Sequence, residues 1–233
     1  MKTWYSQTGS NDATQTSTGN QPKIYDSATG VVTDNGKPVV EFDADFLTIG
    51  SSTSLFNFLH NGTTSSVFVA ARFGLVADPN AIYGVYGNNG GSGGKIGAYF
   101  YYDDRAASSR NNAILLSIYN GNNGSRVCDS VVNNIATANQ QLLVYNEFNA
   151  DSATLNDRAI SGVDGASAVG ANTRSGTPTA SDASHDMQIG NQGGSLSAVA
   201  FKGAMREVIF YSSDQSTNRS GIETNINDFY SIY

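Results

Sequence analysis

The sequence predicts an all-β protein: a two-sheet antiparallel jelly-roll sandwich with one short C-terminal helix, occupying residues 1–233 as a single domain. Three observations carry that expectation. Charged residues make up only 14% of the chain, with 25 glycines and a visible excess of Asn, Ser and Thr, residues that form turns readily and helices poorly. About a dozen short apolar or alternating runs are separated by turn signals. One segment alone, near the C-terminus, repeats its apolar residues at helical spacing.

The elements follow in order. Residues 3–5 read as a short strand before the turn-rich stretch 6–20, and residues 23–25 as an edge strand after Pro22. Asp34-Asn35-Gly36 between two Val-rich runs predicts a hairpin. Residues 46–49 are an apolar cluster, and residues 55–59 fit one helical turn ended by His60-Asn61-Gly62. Residues 67–73 (VFVAARF) are apolar on both faces until Arg72, as a central strand requires. Strands are expected at 82–86, 95–102 (KIGAYFYY), 113–119, 127–132, 141–148 and 158–163, with glycine- and asparagine-rich loops at 88–94 and 120–124. Residues 172–184 are polar and irregular. Residues 187–211 read as strand, turn and antiparallel strand at the centre of a sheet. Met205 and Val208 are three apart, so a bulge near Arg206-Glu207 is needed for both to point inward. Ser216 is placed to cap a helix presenting Ile222, Ile226, Phe229 and Tyr230 on one face.

Composition narrows the function. The net charge is -7, from 13 Lys+Arg against 20 Asp+Glu, so the basic footprint of a nucleic-acid binder is missing. No apolar run approaches the ~18 residues of a membrane span, so no membrane insertion is expected. The start MKTWYSQTGS lacks a signal-peptide core and reads as an excised domain with an added start. Cys128 is the one cysteine and sits in an alternating run, which points to a buried strand residue rather than a nucleophile. His60 and His185 are not spaced as a zinc pair and read as loop residues.

Ile189-Gly190-Asn191, the run FKGAMREVIFYSSDQS at 201–216 and the closing GIETNINDFYSIY are joined by the opening TWYSQTGSNDATQ and by NGKPVVEFDADF. Together these resemble the concanavalin A-like lectin/glucanase superfamily, in its laminin-G-like branch, as found in bacteriophage fibre or adhesion proteins and bacterial surface proteins. The resemblance implies a carbohydrate-binding or attachment module on a virion or an extracellular surface. Its partners would be a cell-surface glycan, further copies of itself or other virion proteins. A purely structural, oligomerising module is the alternative.

The opening and closing motifs also resemble the catalytic domain of a family of α-L-arabinofuranosidases. That family carries a carboxylate in the IG-containing segment, where this chain has Asn191, and a nucleophilic Glu on a strand, where GGKIGAYFYY has none. Glycoside hydrolysis ordinarily needs two carboxyl groups, so the expectation is a non-enzyme. Glu41-Asp43-Asp45 lies on alternate positions but falls where the lectin-like family has a loop-edge motif, and reads as turn chemistry.

Sugars are held by aromatic faces and by hydrogen bonds from Asn, Asp and Gly-rich loops. The candidate glycan ligands are therefore Asn88, Asn89, Asp103, Asp104, Asn120, Asn122 and Asn123. No cofactor is required, but Ca²⁺ is a candidate ion because lectin relatives hold it at the loop rim. Asp43, Asp45, Asp103 and Asp104 are the oxygen donors suited to it. Asn and Gly are also what turns demand.

Overall fold

A computed structural model of the chain describes residues 1–74, 79–86, 94–105, 109–122, 126–194 and 199–233. The first strands are β1 (Thr3–Trp4), β2 (Ala13–Thr14), β3 (Tyr25–Asp26), β4 (Gly30–Val31), β5 (Thr33–Asp34) and β6 (Lys37–Pro38). Next come β7 (Val40–Asp43), β8 (Leu47–Ile49), β9 (Ser65–Phe73), β10 (Asn80–Gly84), β11 (Ile96–Asp103) and β12 (Ala113–Asn120). The chain closes with β13 (Arg126–Val132), β14 (Gln141–Phe148), β15 (Ala159–Val163), β16 (Val169–Gly170), β17 (Met187–Ile189), β18 (Lys202–Tyr211) and helix α1 (Arg219–Tyr230).

Two antiparallel sheets face each other as a jelly-roll sandwich. One has the strand order β1-β2-β8-β17-β10-β11-β12-β13, the other β16-β15-β14-β9-β18-β7. The core between them takes Phe100, Tyr102, Ile114, Leu116 and Ile118 from the first sheet and Val67, Val69, Phe73, Leu142 and Val144 from the second. A smaller apolar cluster lies on the other face of the second sheet, where Phe68, Leu143 and Tyr145 pack against Ile226 and Ile222 of α1.

Local chemistry accounts for the details. Thr33 to Pro38 closes through Asn35 (φ 48) and Gly36 (φ 71), both in the left-handed region that a two-residue hairpin turn of this hand requires. β9 lies between β14 and β18, buried on both faces as its apolar run predicts. In β18 the register slips between Met205 and Glu207 against β9, placing the extra residue at Arg206. Met205 and Val208 consequently both join the inter-sheet core, as the bulge requires. Residues 57–59 form a single 3-10 turn, and Cys128 is fully buried on β13.

Two expectations are corrected. Residues 187–211 are not a hairpin: β17 belongs to the eight-stranded sheet and β18 to the six-stranded one, so this stretch crosses between the sheets. Two apolar runs joined by a polar turn look alike whether they pair or pack face to face. The helix starts after Asn218 rather than Ser216, without a side-chain capping hydrogen bond, and Phe229 is 58% exposed, with the Lys37 ammonium 4.1 Å from its ring centre. His60 lies in the turn that ends the 3-10 helix, as a loop residue should, and is fully buried there.

Candidate functional site

Strand β11 puts Ala98, Phe100 and Tyr102 into the core, so the alternate residues Gly97, Tyr99 and Tyr101 line the outer face of the eight-stranded sheet. Pairing extends this face sideways. Thr48, Gln188, Gly84, Tyr99, Ser117 and Asp129 stand in register across β8, β17, β10, β11, β12 and β13.

Four tyrosines stack on this face. Tyr86 lies 4.2 Å from Tyr119 and 5.3 Å from Tyr99, ring centre to ring centre. Tyr99 lies 4.9 Å from Tyr101 and 6.1 Å from Tyr119, with interplanar angles of 22° and 13°. Gly97 makes the arrangement fit. A side chain there would meet the Val85 carbonyl oxygen at 2.8 Å and the Tyr86 Cα at 3.0 Å, so only glycine lets the chain at Tyr86 cross beside β11. Tyr86 and Tyr101 are nearly buried, whereas Tyr99 and Tyr119 remain partly open to solvent. Burial is the main cause that pushes the phenols of Tyr86, Tyr101 and Tyr119 up, so all three stay neutral hydroxyls at ordinary pH.

Arginines frame both ends of the ladder. The Arg126 guanidinium sits 4.9 Å over Tyr119 and that of Arg110 5.7 Å over Tyr101. At the Tyr119 end Arg126 donates to Asp129 at 2.6 Å, Ser117 donates to the same carboxylate at 3.1 Å, and Arg174 stands 3.6 Å from it. Asn172 straps this edge. Its amide donates to the Leu155 and Arg174 carbonyls, and its oxygen accepts from the Asp129 and Arg174 N–H groups.

At the other end, Asp103 is fully buried at the end of β11, where Arg105 and Arg110 both donate to it. Burial raises its pKa, but the hydrogen bonds from Arg105 and Arg110 outweigh that and hold the carboxyl below the usual aspartate range.

The residues picked from sequence fare differently. Asp103, expected at a sugar- or calcium-binding rim, is instead committed to two arginines out of solvent reach. Asp104 follows it and is half-buried. Asn120 lies at the end of β12 by the ladder, but its amide donates to the Thr177 carbonyl and its oxygen accepts from the Asn122 N–H. Asn122 is exposed. Asn88, Asn89 and Asn123 lie outside the described residues. Asp43 pairs with Lys202 at 3.5 Å, and Asp45 accepts from the Asp43 N–H, which makes them turn and strand-end residues. Among the described residues no three His, Cys, Asp or Glu side chains gather to hold a metal ion, so Asp43, Asp45, Asp103 and Asp104 do not assemble as a calcium cage.

Asn191 is also enclosed. It is fully buried in the turn after β17, with its oxygen accepting from the Gln192 N–H. The side chains that make the face were legible only as an alternation. In KIGAYFYY, Gly97, Tyr99 and Tyr101 fall on the face opposite the core, while Tyr119 and Arg126 arrive from other strands and Tyr86 from the segment after β10.

No protein-family model and no curated protein sequence matches the chain. Solved structures do. A sialidase from Trypanosoma rangeli aligns with 91% of this chain at a TM-score of 0.55 and 11% identity, over 28% of its own length. NanB sialidase from Streptococcus pneumoniae aligns with 78% at a TM-score of 0.50 and 13% identity, over 26% of its length. The CBM40 of a Ruminococcus gnavus IT-sialidase, solved with α2,3-sialyllactose bound, aligns with 67% at a TM-score of 0.51 and 10% identity, over 80% of its length. The chain thus spans about a quarter of the sialidases and most of the binding module. At these identities the likeness is one of fold, a two-sheet antiparallel sandwich. The expectation of a non-enzyme is corrected by this company: two of these three structures are sialidases. The argument built on Asn191 loses its force as well, because that side chain faces no open cleft.

Proposed function

We propose that the chain is a carbohydrate-recognition unit whose ligand lies on the tyrosine face of the eight-stranded sheet. The observation that carries this reading is the stacked ladder of Tyr86, Tyr99, Tyr101 and Tyr119, framed by arginines and left partly open. A sugar ring has apolar C–H faces and a polar rim. A flat aromatic surface takes the face, and neighbouring hydroxyl, guanidinium and carboxylate groups take the rim. Tyr99 and Tyr119 are the partly exposed rings of the ladder, and Arg126, which lies over Tyr119, and Asp129 supply donors and acceptors beside them.

The shared fold of a module solved with a sialylated trisaccharide supports the same reading. The setting that fits it is a laminin-G-like attachment unit on a virion or bacterial surface, which rests on the sequence resemblance. A glycan array on the intact chain, repeated with Tyr119→Ala, tests the proposal. Binding that disappears in the variant while the fold melts normally supports it. Ligands that bind the variant as well as the parent overturn the assignment to this face.

A further inference from the structure

We infer that the ligand of the tyrosine face carries an anionic group, a carboxylate or a sulfate ester, seated on Arg126 and Arg174; the inference rests on the carbohydrate reading above. The two ends of the ladder differ in how fully their arginines are engaged. At the Tyr101 end, Asp103 accepts two hydrogen bonds from the Arg105 side chain and one from Arg110. Both guanidinium groups at this end are therefore hydrogen-bonded to a carboxylate.

At the Tyr119 end, two guanidinium groups face one carboxylate. Arg126 spends a single N–H on Asp129, and the Arg174 guanidinium makes an ion pair at 3.6 Å without a hydrogen bond among the described residues. Asp129 is also the one carboxylate within ion-pair distance of either arginine among the described residues. One formal positive charge is left over there, in a chain whose net charge is -7.

The backbone of both arginines is held from behind. Asn172, itself fully buried, grips the Arg174 N–H and carbonyl. The Gly176 N–H donates to the Arg126 carbonyl at 3.1 Å, and the Arg126 guanidinium sits 4.9 Å over the Tyr119 ring centre. Their side chains are 35% and 49% exposed, so the remaining N–H groups reach solvent beside the partly exposed Tyr119. A planar guanidinium with spare N–H pairs next to an aromatic plane matches the paired oxygens of a carboxylate or sulfate on a ring stacked there.

Titration calorimetry with lactose, 3′-sialyllactose and 3′-sulfolactose tests the inference on one neutral scaffold. The expected result is that one or both acidic sugars bind at least about tenfold tighter than lactose, the effect of one charge-assisted hydrogen bond. That ratio should fall towards one in Arg174→Gln, and separately in Arg126→Gln, with melting temperatures kept within a few degrees of the parent. Preference for the carboxylate or for the sulfate identifies the source of the charge. Three sugars binding alike, or a preference that both variants retain, overturns the inference. If none of the three binds while an array finds neutral glycans lost on Tyr119→Ala, the inference fails and the carbohydrate reading stands. No glycan binding of any kind sinks both.

Discussion

Tyr86 and Tyr119 stack with ring centres 4.2 Å apart and planes inclined by 25°, although they lie 33 positions apart in the sequence. The contact exists because Gly97, the register partner of Tyr119, leaves its position on the outer face empty. Gly97→Ala should therefore damage stability and site together. Its φ of 143 lies in the region that favours glycine, and the new Cβ would press on the Val85 carbonyl oxygen and Tyr86 Cα. A loss of about 1–3 kcal/mol in urea unfolding is expected, with glycan affinity reduced even where the protein remains folded. An unchanged midpoint would contradict this account of the ladder.

Asn172 makes four hydrogen bonds from a fully buried amide and holds the strap to β13. Asn172→Ala should cost on the order of 2–3 kcal/mol, since four part-buried hydrogen bonds to the backbone are lost. It should also raise amide exchange at Asp129 and Arg174 selectively, which hydrogen-exchange mass spectrometry can resolve.

Removing the Asp103 carboxylate leaves Arg105 and Arg110 facing each other across a buried position. Because both arginines retain partial contact with water, Asp103→Ala should cost about 3 kcal/mol, the lower end for breaking a buried pair. The sign with pH follows from its lowered pKa. Its contribution is complete above the ordinary aspartate value of about 3.9 and is lost as pH falls through the lower folded value. The variant should show a shallower loss of stability in that acid range than the parent.

His60 acts at milder pH. Burial, the dominant influence, lowers its pKa to about 4, against smaller opposing pulls from the Thr179 backbone and Asp182. The unfolded chain, with an ordinary value near 6.5, binds the proton first. Stability should therefore fall as pH drops from about 6.5 to about 4, by on the order of 3 kcal/mol from this group. Denaturant titrations at pH 7 and pH 5 check this, and His60→Gln should flatten the difference. A parent whose stability is level across that interval would contradict the enclosed, neutral histidine.

The sequence made the scaffold readable because strand periodicity and turn chemistry are local. The Asn35-Gly36 turn, the central strand β9 and the bulge at Arg206 all follow from residues within a few positions of one another. Pairing between distant runs is not local, which is why residues 187–211 read as a hairpin although they cross between sheets. The site was harder for the same reason. Loops rich in Asn and Asp drew attention to Asp103 and Asn120, whose polar groups are spent within the fold. The open part of the ladder comes from Tyr99 on β11 and Tyr119 on β12, and only the alternation in 95–102 hinted at it.

The most direct test of the central claim is the affinity of one array-selected glycan for the parent and for Tyr119→Ala, measured by calorimetry with the melting temperature of each protein. Recognition on the tyrosine face predicts a loss of about tenfold or more in the variant, the weight of an aromatic anchor at the centre of a binding surface. An affinity that survives the substitution in a protein that melts like the parent would contradict the claim and move the ligand elsewhere on the sandwich.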